Sequence, residues 1–162
     1  QTIFAGAESD AKPIHTGTLF EISGNKIRLV SVDGYRLALR EEAVQSGDLD
    51  ISFVVPGKTL QEISKLLPDN DETCTFQVGS RHILFSVGNY TVISRLLEGE
   101  FLDYRAAIPQ TSTSEAVIKT QDFISSVERV SLLITERLKS PVRCIFDENE
   151  VRLSCYTPIG RP

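Results

Sequence analysis

Apolar and polar residues alternate with period two in three paired runs. Phe20 and Ile22 precede Gly24-Asn25, and Ile27 and Leu29 follow it. Cys74, Phe76 and Val78 precede Gly79-Ser80, with Ile83, Phe85 and Val87 beyond. Val142, Cys144 and Phe146 precede Glu148-Asn149, and Val151, Leu153 and Cys155 come after. Folding each run about a two-residue loop sets Phe20 opposite Leu29, Ile22 opposite Ile27, Phe76 opposite Ile83, Cys74 opposite Phe85, Cys144 opposite Leu153 and Phe146 opposite Val151. The apolar side chains of each hairpin then share one face, as a sheet covering a core requires. Gly24 and Gly79 are expected to supply the positive φ of tight turns, while Glu148-Asn149 is a weaker turn.

A helical period precedes the second and third hairpins. Pro56-Gly57-Lys58-Thr59 opens one helix, with Leu60, Ile63, Leu66 and Leu67 on its apolar face and Pro68 ending it. Thr120-Gln121-Asp122 opens the other, carrying Phe123, Ile124, Val127, Val130, Leu133 and Ile134. Ile3, Phe4 and Ala7 suit the end of an equivalent helix, and Ile51–Val55, Tyr90–Leu96 and Ala116–Ile118 suit further strands. The unit of helix, hairpin and strand recurs about every 55 to 70 residues, an internal repeat of the α+β class. The polar run Pro109-Gln110-Thr111-Ser112-Thr113-Ser114 reads as a linker. Residues 1–109 thus hold two copies of the unit, and residues 110–162 hold one and stop.

Composition narrows the function. The 162 residues are 41% hydrophobic and carry Lys+Arg 17 against Asp+Glu 22, a net charge of −5. That balance disfavours a protein that grips nucleic acid by phosphate contacts alone. The acid is concentrated: residues 1–109 hold 10 basic and 15 acidic side chains, residues 110–162 seven of each. No apolar run reaches the roughly 18–20 residues of a membrane span, and no signal peptide opens the chain. Met is absent and Gln1 comes first, so an internal piece of a longer polypeptide is expected. Cys74, Cys144 and Cys155 lack metal spacing and sit in strand patterns, where reduced, buried thiols are expected.

Catalytic chemistry finds little support. Gly57-Lys58-Thr59 follows an apolar strand and opens a helix, the setting of a phosphate-binding loop. That loop needs a glycine five positions before Gly57, where Ser52 stands inside the strand. His15 and His82 have no metal-like spacing with Cys or carboxylates, and His82 falls on the outward face of its hairpin. Glu41-Glu42, Asp69/Asp71/Glu72 and Glu148/Glu150 lie in loops and turns as solvated charge. No nucleophile elbow, Cys/His pair or zinc-protease motif appears. A binding protein without cofactor or metal is therefore expected, not an enzyme.

Two segments invite more than a structural reading. Val32-Asp33-Gly34-Tyr35-Arg36-Leu37-Ala38 is a turn entering a strand, or a groove wall with Arg36 as its polar handle. Arg95–Tyr104 is a strand leading to a linker, or the opposite apolar wall. Taken with Gly17-Thr18-Leu19-Phe20-Glu21, Val54-Val55-Pro56-Gly57-Lys58, Ser94-Arg95-Leu96-Leu97-Glu98-Gly99 and Asp103-Tyr104, they closely resemble the bacterial DNA polymerase III beta subunit family, the replication sliding clamps. The likeness runs in order along essentially the whole chain.

The resemblance implies a DNA-clamp fold of repeated helix-plus-antiparallel-sheet units. Residues 1–109 would be the complete middle domain and 110–162 the N-terminal part of the third. It implies a head-to-tail homodimeric ring around double-stranded DNA, held by topology without sequence preference, in the bacterial cytoplasm and with no membrane. Lys58 matches a family position near DNA, and helix facing adds Lys65. DNA polymerase III subunits, the clamp loader and repair polymerases would dock by linear motifs in a pocket between the middle and third domains. Positions matching that pocket are His15, Val32, Gly34, Tyr35, Arg36, Leu37, Leu102, Ala106, Ala107 and Leu138. His15, Leu102, Ala106 and Ala107 depart in type from the family's usual residues, so motif preference is expected to differ. A protein-interaction module of the same fold without a DNA role is the alternative, and a nucleotide-dependent enzyme using Lys58 a distant third.

Overall fold

The computed structural model describes residues 1–8, 12–47, 49–67, 73–132, 134 and 141–156. The chain divides into two compact units, Gln1–Ile108 and Pro109–Pro162.

In the first unit, strands β1 (Gly17–Ser23), β2 (Lys26–Val32), β3 (Leu37–Ala43) and β4 (Asp50–Pro56) form an antiparallel sheet of order β3-β2-β1-β4. Helix α1 (Gly57–Leu66) follows, then a second sheet of β5 (Thr75–Val78), β6 (His82–Val87) and β7 (Tyr90–Arg95). A short helix, α2 (Tyr104–Ala107), closes the unit. Alternation makes the first sheet apolar on both faces. Phe20, Ile22, Ile27, Phe53 and Val55 turn inward to meet Leu60 and Ile63 of α1 and Ile83, Phe85 and Val87 of the second sheet. Their neighbours Leu19, Val30 and Val54 face the other way, under Ile14 and Tyr104, with Leu37, Leu97 and Phe101 packed on them. Leu97 also bridges to β4, its N–H donating to the Val54 carbonyl at 2.9 Å.

Two glycines explain the Gly57-Lys58-Thr59 sequence and the start of β1. A Cβ on Gly57 would sit 2.6 Å from the Thr16 carbonyl oxygen, and one on Gly17 2.6 Å from that of Val55. The Thr59 hydroxyl lies 2.7 Å from that of Ser94. Glycine and threonine here serve close packing of α1 onto β1 and β7.

The first hairpin has the expected register, Phe20 opposite Leu29 and Ile22 opposite Ile27, with Gly24 at φ 55°. The second differs. Phe76 pairs with Phe85 and Val78 with Ile83, so the loop centres on Ser80-Arg81, closed by Gly79 N–H to the His82 carbonyl at 2.8 Å. Gly79 therefore takes no positive φ. A slip of two residues leaves every side chain on its face, so the hydrophobic pattern tolerates either pairing. Ile3–Ala5 forms only a 3-10 turn where a helix end was expected. The strand expected to reach Leu96 stops at Arg95.

The second unit contains α3 (Thr120–Ser131) and the hairpin of β8 (Val142–Phe146) and β9 (Val151–Cys155). Its register, Cys144 opposite Leu153 and Phe146 opposite Val151, is the expected one. Ala116–Ile118 pairs with no strand among the described residues, and Val117 is 93% exposed. Of the three free thiols Cys155 is buried, Cys74 half-buried and Cys144 exposed. Cys144 thus departs from the expected burial, because β8 carries mostly exposed side chains. Pro68, Leu133 and the Asp69/Asp71/Glu72 cluster lie outside the described residues.

Candidate functional site

Two regions of the first unit carry the candidate residues. On α1, Gly57, Leu60 and Ile63 are buried, which turns Lys58, Gln61, Glu62 and Lys65 to solvent. Seven residues span almost two helical turns, so Lys58 and Lys65 share one stripe. Lys65 Nζ is paired with Glu62 at 2.7 Å, whereas Lys58 has no ion pair among the described residues. Lys65 is thus half neutralised, and the stripe's unopposed charge is that of Lys58.

The second region gathers on the apolar cluster beneath the first sheet. Val32 and Leu37 are cross-strand partners at the end of the β2–β3 ribbon. Val32 is buried, and Leu37 packs on the cluster of Ile14, Leu19, Val30, Val54 and Tyr104. The turn between them is organised by Asp33. Its Oδ1 accepts the N–H of Tyr35 at 2.8 Å and of Arg36 at 3.0 Å, and its Oδ2 accepts Arg36 Nε at 3.0 Å. Those N–H groups, Tyr35 first, with the Arg36 charge, hold the Asp33 carboxyl below the usual range. Constrained in this way, the turn projects Tyr35 fully into solvent, while a Cβ on Gly34 would meet nothing within 4 Å.

The facing edge comes from the segments before β1 and after β7. His15, in the 3-10 turn Pro13–Thr16, packs edge-on against Phe101 with ring centroids 5.4 Å apart. Partial burial, then the nearby Lys12 charge, lowers its pKa and favours neutral imidazole. Leu102, 44% exposed, follows Phe101. Ala106 and Ala107 are exposed on α2, the helix that opens with buried Tyr104. Of the sequence candidates, His15, Val32, Gly34, Tyr35, Arg36, Leu37, Leu102, Ala106 and Ala107 therefore lie on segments joined to this cluster. Leu138 lies outside the described residues.

Sequence reasoning passed over the polar frame of this edge. Glu21, Arg28 and Glu41 form a cross-strand row over β1, β2 and β3. The Tyr104 hydroxyl donates to Glu21 Oε2 at 2.5 Å and accepts from Arg28 Nη1 at 3.3 Å. Arg105 Nη2 reaches both Glu21 oxygens at 2.9 Å, and its guanidinium lies 4.7 Å from the Tyr104 ring centroid. Burial pushes the Glu21 carboxyl up, but the bonds from Tyr104 and Arg105, with the charges of Arg105 and Arg28, hold it below the usual range. The signal available in the sequence was the outward charge at Glu21 and Arg28, opposed once the hairpin register is set.

Comparison with known proteins gives this geometry a family. The model of the DNA polymerase III beta subunit, central domain, matches residues 1–103. A beta sliding clamp of Bacillus subtilis is 35% identical over 99% of this chain and 43% of its own length. The solved Bacillus subtilis DNA polymerase sliding clamp superposes with TM-score 0.92 at 32% identity, covering 100% of this chain and 43% of that one. A sliding clamp of Pseudomonas aeruginosa, solved bound to griselimycin, gives TM-score 0.90 at 26% identity over 99% of this chain and 44% of that one. The chain thus spans less than half the length of these relatives. Because the family model covers well over half of its 162 residues, the chain belongs to the DNA polymerase III beta subunit family, its residues 1–103 matching that subunit's central domain.

Proposed function

We propose that this chain is part of a replication sliding clamp, a processivity factor that acts by tethering and carries out no catalysis of its own. Residues 1–109 are read as the complete middle domain and 110–162 as the first part of the third. With the rest of its polypeptide it closes as a head-to-tail dimeric ring around duplex DNA in the bacterial cytoplasm. The observation that carries this reading is the family match over residues 1–103.

On this reading Lys58 and Lys65 of α1 face the DNA. An encircling protein needs no tight phosphate grip, so a net charge of −5 is compatible with the role where the acid lies more than a Debye length, about 10 Å, from the duplex. His15, Val32, Gly34, Tyr35, Arg36, Leu37, Leu102, Ala106 and Ala107 of the first unit contribute to a pocket for the linear motifs of polymerases and the clamp loader. The apolar cluster under the β2–β3 ribbon supports this, since it presents Leu37 at its rim beside an exposed tyrosine and an arginine.

Griselimycin, bound in the Pseudomonas aeruginosa clamp, is the probe for that pocket. Calorimetric titration into the full-length protein is expected to show binding. Tyr35→Ala or Leu37→Ala should weaken it about tenfold, the effect of losing one anchor worth about 1.4 kcal/mol. Unchanged affinity in both variants would remove these residues from the pocket.

A further inference from the structure

Helix α2 has only four residues, and its N-cap Asp103 makes no side-chain capping bond. A helix so short has no stability of its own in water. Its anchorage comes instead from Tyr104, which is 2% exposed, and from bonds that cross more than eighty positions of sequence to one strand residue, Glu21. The same carboxylate receives the Tyr104 hydroxyl on one side and the Arg105 guanidinium on the other, while Arg28 braces the hydroxyl from the next strand. Ala106 and Ala107 complete the helix immediately beyond, and Phe101 and Leu102 lead into it.

We infer that Glu21 is a positioning residue for the docking edge: it does not touch the docked peptide, but fixes α2 so that Leu102, Ala106 and Ala107 hold a binding geometry. The inference rests on the docking role proposed above and goes further, because Glu21 lies in the charged row of the sheet and not among the pocket positions. The cleft of about 590 Å³ that Glu21, Lys26, Arg28, Glu41 and Arg105 line is not itself a ligand site in this account. Its basic side chains are already paired, Lys26 and Arg28 with Glu41 and Arg105 with Glu21. They serve as a frame.

The physical consequence is specific. A carboxylate can accept from both donors at once, whereas an amide at the same place offers one oxygen and presents N–H groups to Arg105. Tyr104→Phe keeps the buried ring and deletes only the hydroxyl. Neither change removes an apolar contact, so α2 should loosen while the sheets beneath stay packed.

The experiment uses the full-length protein with griselimycin as probe, comparing Glu21→Gln, Tyr104→Phe and the pocket variant Leu37→Ala. Expected are a five- to tenfold loss of affinity in the first two and faster hydrogen exchange at the end of α2, where the Ile108 N–H donates to the Arg105 carbonyl, with exchange in β1 and β2 quickened no more than the fall in global stability requires. Loss of affinity in Leu37→Ala alone would overturn the positioning role and leave the docking site standing. No loss in any of the three would overturn both. Exchange in β1 and β2 faster than the fall in global stability accounts for would show a residue that holds the sheet itself, and would also overturn the inference.

Discussion

Protonating Glu21 breaks its ionic link to Arg105 and weakens the hydrogen bond from Tyr104 in the same step. Because its folded-state pKa lies below the ordinary glutamate value, the stability it contributes is fully present above about pH 4.3 and is lost as pH falls through the folded value. Hydrogen bonds to a charged group contribute about 1.5–3 kcal/mol, and Glu21 is mostly shielded, its side chain 21% exposed. Glu21→Gln should therefore lower thermal stability at pH 7 by about 1–2 kcal/mol. The gap from the unaltered protein should close as pH falls below the ordinary glutamate range; a gap independent of pH would contradict the assignment. Glycine gives a second residue-scale test. At Gly17 a Cβ would lie 2.6 Å from a carbonyl oxygen and 2.7 Å from Val54 Cγ1, contacts that neighbouring backbone cannot relieve without a shift of the sheet. Gly17→Ala is expected to cost about 1–3 kcal/mol. Gly34→Ala, in open space, should stay within about 0.5 kcal/mol. Thermal unfolding of the two variants checks the contrast.

Helix α1 separates buried from exposed residues by face. Ile63, 4% exposed, faces the core, and Ile63→Ala should cost about 2–5 kcal/mol. Lys58→Ala should leave unfolding unchanged within about 0.5 kcal/mol. In the full-length protein it should instead reduce the slope of log K against log salt for a short linear duplex by about 0.9, one phosphate contact. An unchanged slope would take Lys58 off the DNA-facing surface. Much at this scale was legible in the chain. The alternation around Gly24-Asn25 and Glu148-Asn149 specified both registers, and Asp33-Gly34 announced the turn that displays Tyr35. The second hairpin was not, since a period of two cannot tell pairings that differ by two residues, and the glycine that marks Gly79-Ser80 as a turn lies one position before the loop that forms. The frame around Glu21 was not legible either. Its partners Tyr104 and Arg105 lie more than eighty positions away, and only the folded sheet brings them together.

For the whole molecule, the composition and the family stand in apparent tension: an acidic chain, net −5, in a family of DNA clamps. The ring proposed above would resolve it. A ring is retained on DNA by closure, so its residence would not depend on the sum of its charges, and weak contacts from a few inward lysines would permit sliding. Contact binding would behave in the opposite way, with affinity falling steeply as salt rises. The two modes part on one measurement. The full-length protein is loaded by a clamp loader onto a nicked circular duplex, washed at about 1 M salt, where the Debye length is near 3 Å, and followed by gel filtration before and after the circle is cut. The encircling account predicts that the protein stays with the intact circle through the wash and leaves once the DNA is linear. Release from the intact circle by salt alone would contradict it.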